Sequence, residues 1–364
     1  MGKTVLIQPN NKGIREDYLK AIEFRYPEWI PCVAGFSRAT WKRHREKLVE
    51  IKRRHPLVFG YEKTPFFCGD KPLSNFDEMP PCYRAGEYYT DNWGCTWYNV
   101  QEGLEGQVVK SPLSDWRMLD TYRPPDYLTK TERGDRDWKQ IRRNIEERRK
   151  NGLLTVGDGE RLFDRLYFLR GFENLMRDIV TDDPHLPGLI DMLLDYEMNL
   201  VEKWLEIGVD IMNFHTDMGT QRGLMISPAK FRKYIKPLYK KLFTMCRDAG
   251  THVYLSSDGR LLDIVDDLID CGVSIHDPQL RANTLEGIAN AYKGKMCIDL
   301  DLDCQMFAFC RPADIRKHVK EAVDKLYLPE GGLMIKAEFI GENIPLANIE
   351  AMCRAMEEFC IGKK

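Results

Sequence analysis

From about residue 153 to the C-terminus, short apolar runs ending in an acid, a histidine or a serine alternate with helical segments. The runs cover 153–158, 210–217, 252–258, 273–277, 296–301 and 332–338, and they close on Asp158, Asp217, Asp258, Asp277, Asp301 and Glu338. Apolar runs of this length with helices between them predict parallel strands in βα units. Six or more in series predict a closed (β/α)8 TIM barrel, whose chemistry sits at the C-terminal ends of the strands. The polar residues fall at those ends, so the pattern concerns function as well as fold.

Composition removes some classes of function. A hydrophobic content of 43% with 11% aromatic residues supports a sizeable core. The formal charge of −2 gives no basic field for nucleic acid or an anionic membrane. No stretch reaches the ~18 apolar residues that span a bilayer, and the start of the chain lacks the apolar run of a signal peptide. The 11 cysteines are scattered and never spaced as CxxC. In a chain this long they predict reduced thiols and a cytoplasmic protein.

Along the chain, residues 13–29 are expected to form a helix that runs into a first strand near 30–36. Residues 38–54 and 131–151 are charged helices. Residues 60–126, rich in Pro, Gly, Tyr and Trp, read as an inserted lid or subdomain in a single barrel domain covering 1–364. Ser227-Pro228, Arg311-Pro312 and Pro345 mark helix starts.

From Glu160 onward the chain resembles the uroporphyrinogen decarboxylase superfamily, which includes corrinoid-dependent methyltransferases. The stretch Phe168-Leu169-Arg170-Gly171-Phe172-Glu173-Asn174-Leu175-Met176 carries the likeness, as do Asp217-Met218-Gly219-Thr220-Gln221 and Ser227-Pro228. Asp258-Gly259, Gly272-Val273, Gly331-Gly332, Pro345 and Asn348-Ile349 continue it. Asp91-Asn92-Trp93-Gly94-Cys95, then Pro112-Leu113-Ser114-Asp115-Trp116 and Pro125-Asp126, resemble the methyltransferase-like branch. The resemblance implies one (β/α)8 domain, a small-molecule substrate and a methyl group moved between it and the cobalt of a corrinoid held by a partner protein. It departs from the family pattern twice. The arginine-rich segment that meets tetrapyrrole propionates in the decarboxylases is reduced to Arg38 between residues 30 and 40, which argues against a polyanionic substrate. The His-x-Cys pair and later Cys that hold zinc in thiol-methylating members fall here on Ser256, Asp258 and Glu338, or Phe339 one residue on.

The candidate site follows from the strand ends. Asp217, Asp258 and His276 are the expected catalytic groups. Trp93, Trp97, Gln221, Ser256 and Asp301 are expected to bind substrate. His215, Asp258 and Glu338 are the expected ligands of a divalent metal, with zinc the first choice and oxygen ligands making it weakly held. Asp299, Asp301 and Asp303 alternate, which would turn all three one way. Without a compensating cation or lysine, one of them must face outward. The aromatic segment 88–116 reads either as a lid that lines the pocket or as a small satellite core. Two rival functions remain open: cofactor-independent decarboxylation of a small acid, and a non-catalytic barrel that binds a corrinoid or tetrapyrrole.

Overall fold

The computed structural model describes residues 11–59 and 80–362, with side chains from residue 14 onward. Its centre is a curled parallel sheet. Strand β1 (Cys32–Phe36) lies at one edge and β5 (Val156–Arg161) at the other. Between them run β6 (Ile211–His215), β7 (His252–Ser256), β8 (Ile275–His276), β9 (Cys297–Asp301) and β10 (Leu333–Phe339), in the spatial order β1-β10-β9-β8-β7-β6-β5. Helices follow each strand, so the fold is of the TIM-barrel class. Seven strands of this sheet are described, and the β1 and β5 edges pair with no other described strand.

Burial on both faces explains why these runs are apolar throughout. Met212 and Phe214 of β6, Val253 and Leu255 of β7, Ile298 and Leu300 of β9, and Ile335, Ala337 and Phe339 of β10 join the core beneath the helices. The alternate residues Ile211, Tyr254, Ile275, Cys297 and Met334 fill the barrel interior. There they meet Tyr18, Ala21 and Ile22 of the helix Asn11–Ile22, which plugs the N-terminal end. Two residues further along each strand, the inward positions turn polar, as Asn213, Asp277, Asp299 and Lys336.

The second element is a small antiparallel sheet of β2 (Tyr88–Thr90), β3 (Thr96–Tyr98) and β4 (Gln107–Lys110). It belongs to the aromatic insertion, of which residues 60–79 lie outside the described residues. Elsewhere the elements are close to expectation. The first helix ends at Ile22, and the 38–54 helix breaks at Arg45, whose φ of 42° no continuous helix allows. The charged helix expected over 131–151 begins at Trp138, capped by Asp137. A 3-10 turn, Trp116–Met118, is capped by Asp115. No described helix is long and apolar enough to cross a membrane.

Candidate active site at the barrel mouth

The mouth is built by strand period. Inward side chains repeat every second residue, so β9 presents Asp299 and Asp301 and β10 presents Lys336 and Glu338. Just past β8, Asp277 points inward and is the anchor of the group. It accepts hydrogen bonds from Ser256 Oγ at 2.7 Å, the backbone N–H of Ser257 at 3.1 Å and Lys336 Nζ at 2.6 Å. Burial alone would raise the Asp277 carboxyl, but the charge and hydrogen bond of Lys336, with the Ser256 hydrogen bond, outweigh it and hold the group below the usual carboxylate range. Asp299 accepts from Tyr254 OH at 2.8 Å, and burial lifts it to about 6.

Asp301 and Asp258 hold protons more tightly. Asp301 is enclosed, and one of its carboxyl oxygens is buried without a hydrogen-bond partner. Burial, against the pull of Lys336 and with the repulsion of Glu338, Asp277 and Asp258, raises it to about 8. Asp258 is exposed at the lip of the concave mouth. Partial desolvation there, with the charges of Asp217 and Asp277, raises it to about 7. Asp301, the more enclosed of the two, is the better placed proton reservoir.

Two loops position Asp217 and Asp258 relative to each other. Asp217 accepts from the backbone N–H of Asp258 at 3.1 Å, and its own N–H donates to Asp164. This needs the loops after β6 and β7 to touch backbone to backbone at Gly219 and Gly259. A Cβ on Gly259, where φ is +85°, would come 2.3 Å from the Gly219 carbonyl carbon. The Arg260 N–H closes the contact on Thr220 O at 2.8 Å.

The other expected residues are placed as follows. Ser256 and Asp301 sit in the cluster. His215 and Asp158 face the open mouth, 3.8 Å apart, and Asn213 Nδ2 lies 3.0 Å from His215 Nε2. His276 does not face the mouth. Its ring lies on the outer side of β8 against Tyr292, at 5.6 Å between centroids, and its Nδ1 donates to Leu255 O at 2.7 Å. Burial lowers its pKa, so the ring is neutral. Gln221 is exposed in the turn between Thr220 and Gly223. Trp93 and Trp97 are each 1% exposed. Trp93 packs on Tyr196 and Trp97 on Phe168, with centroids 4.6 and 4.8 Å apart. Both therefore lie in packed interior, not on the cavity wall. Asp303 turns away to cap the next turn and pairs with Arg281 at 3.1 Å.

His215, Asp258 and Glu338 do not come together as a ligand set. Among the described residues, no three His, Cys, Asp or Glu side chains form a group that could hold a metal ion. The ammonium of Lys336 lies between the carboxylates instead. The residues present do not fit a zinc site of that composition.

Sequence reasoning missed the ion network that joins the insertion to the end of β5. Arg165, fully buried, reaches Glu132 at 2.5 Å, Glu160 at 3.4 Å and Asp91 at 3.5 Å, and lies 4.6 Å from the Trp93 ring centroid. Arg161 binds Glu105 at 2.8 Å and Glu132 at 3.1 Å. The available signal was Arg161 and Arg165, four apart across the end of β5 and the start of the next helix; their acidic partners lie up to 74 residues away.

A parallel α/β barrel with titratable side chains converging at the C-terminal ends of its strands is the architecture of a barrel enzyme. This chain belongs to the uroporphyrinogen decarboxylase (URO-D) family, whose profile matches residues 162–359, more than half of the 364 residues. Among solved structures, a methyltransferase from Methanosarcina mazei is similar over 95% of this chain and 98% of its own, at 16% identity and a TM-score of 0.58. That likeness concerns the fold. A dihydropteroate synthase from Xanthomonas albilineans (11% identity, 54% of this chain, 66% of its own, TM-score 0.33) is a more distant barrel. So is a D-psicose 3-epimerase from Clostridium cellulolyticum H10 (11% identity, 61% of this chain, 83% of its own, TM-score 0.38). No curated protein matches the chain.

Proposed function

We propose that this protein demethylates a small oxygen- or nitrogen-bearing substrate, passing the methyl group to a corrinoid carried by a partner protein. The observation that carries this reading is the pair Asp301 and Asp258, raised to about 8 and about 7 at a solvent-open mouth. At neutral pH such carboxyls hold a proton that an ordinary aspartate has lost. Breaking a methyl–oxygen bond leaves an electron pair on a poor leaving oxygen, and a proton delivered there lowers the barrier. The mouth opens to solvent at Asp158 and His215, whose side chains are 67% and 49% exposed, which suits a group presented from outside. The corrinoid would supply the nucleophile that takes the methyl carbon. Asp301 and Asp258 would give the proton, Ser256 and Asp277 would orient the substrate, and Lys336 would balance charge.

The mouth is poorly suited to uroporphyrinogen. Asp258, Asp277, Asp299, Asp301 and Glu338 face one another around a single lysine, and Arg161 is already engaged by Glu105 and Glu132. Eight carboxylates would add repulsion with few free donors to meet them. A second reading, decarboxylation of a small monoacid, rests on the family match and on Lys336 as a partner for one carboxylate.

The test is anoxic incubation of the full chain with free cob(I)alamin and a panel of methoxylated aromatics and methylamines. Demethylated product, together with loss of the cob(I)alamin absorbance, is expected for at least one compound. Conversion of uroporphyrinogen to coproporphyrinogen at a useful rate would overturn the reading.

A further inference from the structure

Lys336 is the feature of the mouth that its acids do not explain. It projects inward from the middle of β10, its Nζ 2.6 Å from Asp277 Oδ2 and 4.0 Å from Glu338 Oε1. On the adjacent strand Asp301 is its direct partner in register, and Asp299 stands two residues below on the same side. Four carboxylates from three neighbouring strand ends thus surround one ammonium. Converging carboxylates without a counter-charge repel one another, and oxygen donors in that number are what hard divalent ions bind. Here a covalently attached cation answers the charge instead. It is held by a direct bond to Asp277 Oδ2, which also accepts from Ser256 Oγ, while the Ser257 N–H fixes Oδ1.

We infer that Lys336 replaces a divalent metal ion as the resident cation of this mouth, so that the site works on a neutral or singly charged, oxygen-bearing molecule without a bound metal. The inference rests on reading the barrel mouth as the reaction site. An ammonium on a flexible stem is a compact point charge with three donors. One donor is spent on Asp277, leaving two for the nearby carboxylates and for an incoming substrate oxygen. Lys336 is therefore a positioning residue that balances charge.

Metal binding tests this independently of turnover. Equilibrium titrations of the full chain with zinc and with manganese at pH 7.5 would compare wild type, Lys336→Met, Lys336→Gln and Lys336→Arg. Wild type and Lys336→Arg are expected to bind neither ion stoichiometrically. Lys336→Met and Lys336→Gln, with the carboxylates left uncompensated, are expected to bind at least one of the ions tenfold more tightly or better. A lysine with a merely structural role would lower the melting temperature in these variants without creating a metal site. The inference is overturned if wild type binds one zinc per chain with micromolar affinity that Asp258→Asn or Glu338→Gln abolishes. It is equally overturned if the folded neutral variants bind no more tightly than wild type. Should neither neutral variant fold, the wild-type titration decides alone: one tightly bound zinc per chain overturns the inference, and no stoichiometric binding of either ion upholds it. Failure of methyl transfer would leave these binding results intact, so the two readings fail separately.

Discussion

Asp301 holds its proton at neutral pH because burial and three neighbouring acids outweigh the attraction of Lys336. Its folded pKa, about 8, lies above the ~3.9 of an unfolded aspartate. Between those values the native state binds the extra proton, so this residue makes the fold less stable as pH rises from about 4 to 8. Asp299 and Asp258, at about 6 and 7, act in the same direction. Asp301→Asn should therefore gain on the order of 1–3 kcal/mol relative to wild type at pH 9 and little at pH 4, read from melts at both. The same variant should lose about 10²-fold in turnover if Asp301 donates the proton, and wild-type turnover should fall as pH passes 8. A variant as active as wild type would remove Asp301 from the chemistry. Trp93 belongs to a different account. It is enclosed by Tyr196 and Arg165, so Trp93→Ala should cost about 3–5 kcal/mol in denaturant unfolding. Activity should then be lost only as the fold is.

At the scale of elements, the loops after β6 and β7 touch without side chains between them. Gly259→Ala would need both a left-handed φ and displacement of the Gly219 backbone. The conformational part alone costs about 1–2 kcal/mol. Because the displaced backbone carries Asp217 and Asp258, activity should fall further than stability, a split seen by comparing turnover with melting temperature. A second joint links the helix Glu46–Arg54 to the C-terminal helix. His55, buried just after the first, lies 3.2 Å from Glu350 and 2.9 Å from Glu357. Burial would lower its pKa, but the two glutamates outweigh it and raise it. A raised histidine contributes stability below its unfolded pKa of ~6.5 and loses it as pH rises through the folded value. His55→Gln should thus be destabilising at pH 6 and much less so at pH 9. Equal losses at both would mean that shape, not charge, holds this joint.

On the scale of the whole molecule, the aromatic insertion is fastened to the barrel by guanidinium groups: Arg161 on Glu105, Arg170 on the carbonyls of Leu113 and Ser114, and the fully buried Arg165. Arg165 meets acids from the insertion (Asp91), from the segment that follows it (Glu132) and from β5 (Glu160). Removing one member of such a network leaves uncompensated charge behind and costs about 3–5 kcal/mol. Arg165→Met should show that loss in urea unfolding. It should also open segment 80–137 to limited proteolysis before the barrel is cut. Cleavage at wild-type rates would mean that Trp93 and Trp97 hold the insertion without it.

The alternation of apolar runs and helices, with acids at the strand ends, is local chemistry, and it determined the barrel class and which end carries polar groups. Period-two spacing likewise set Asp299 with Asp301, and Lys336 with Glu338, on common sides. Parity was not legible, because strands buried on both faces are apolar at odd and even positions alike. His276 and Asp277, one residue apart, therefore could not be sorted into outward and inward. Only the tertiary structure turned Asp277 to the mouth and His276 against Tyr292. It alone brought Lys336 across 59 residues of chain to Asp277, and Arg165 across 74 to Asp91 of the insertion. Contacts between distant segments depend on sheet order and strand register, which no spacing within one segment encodes.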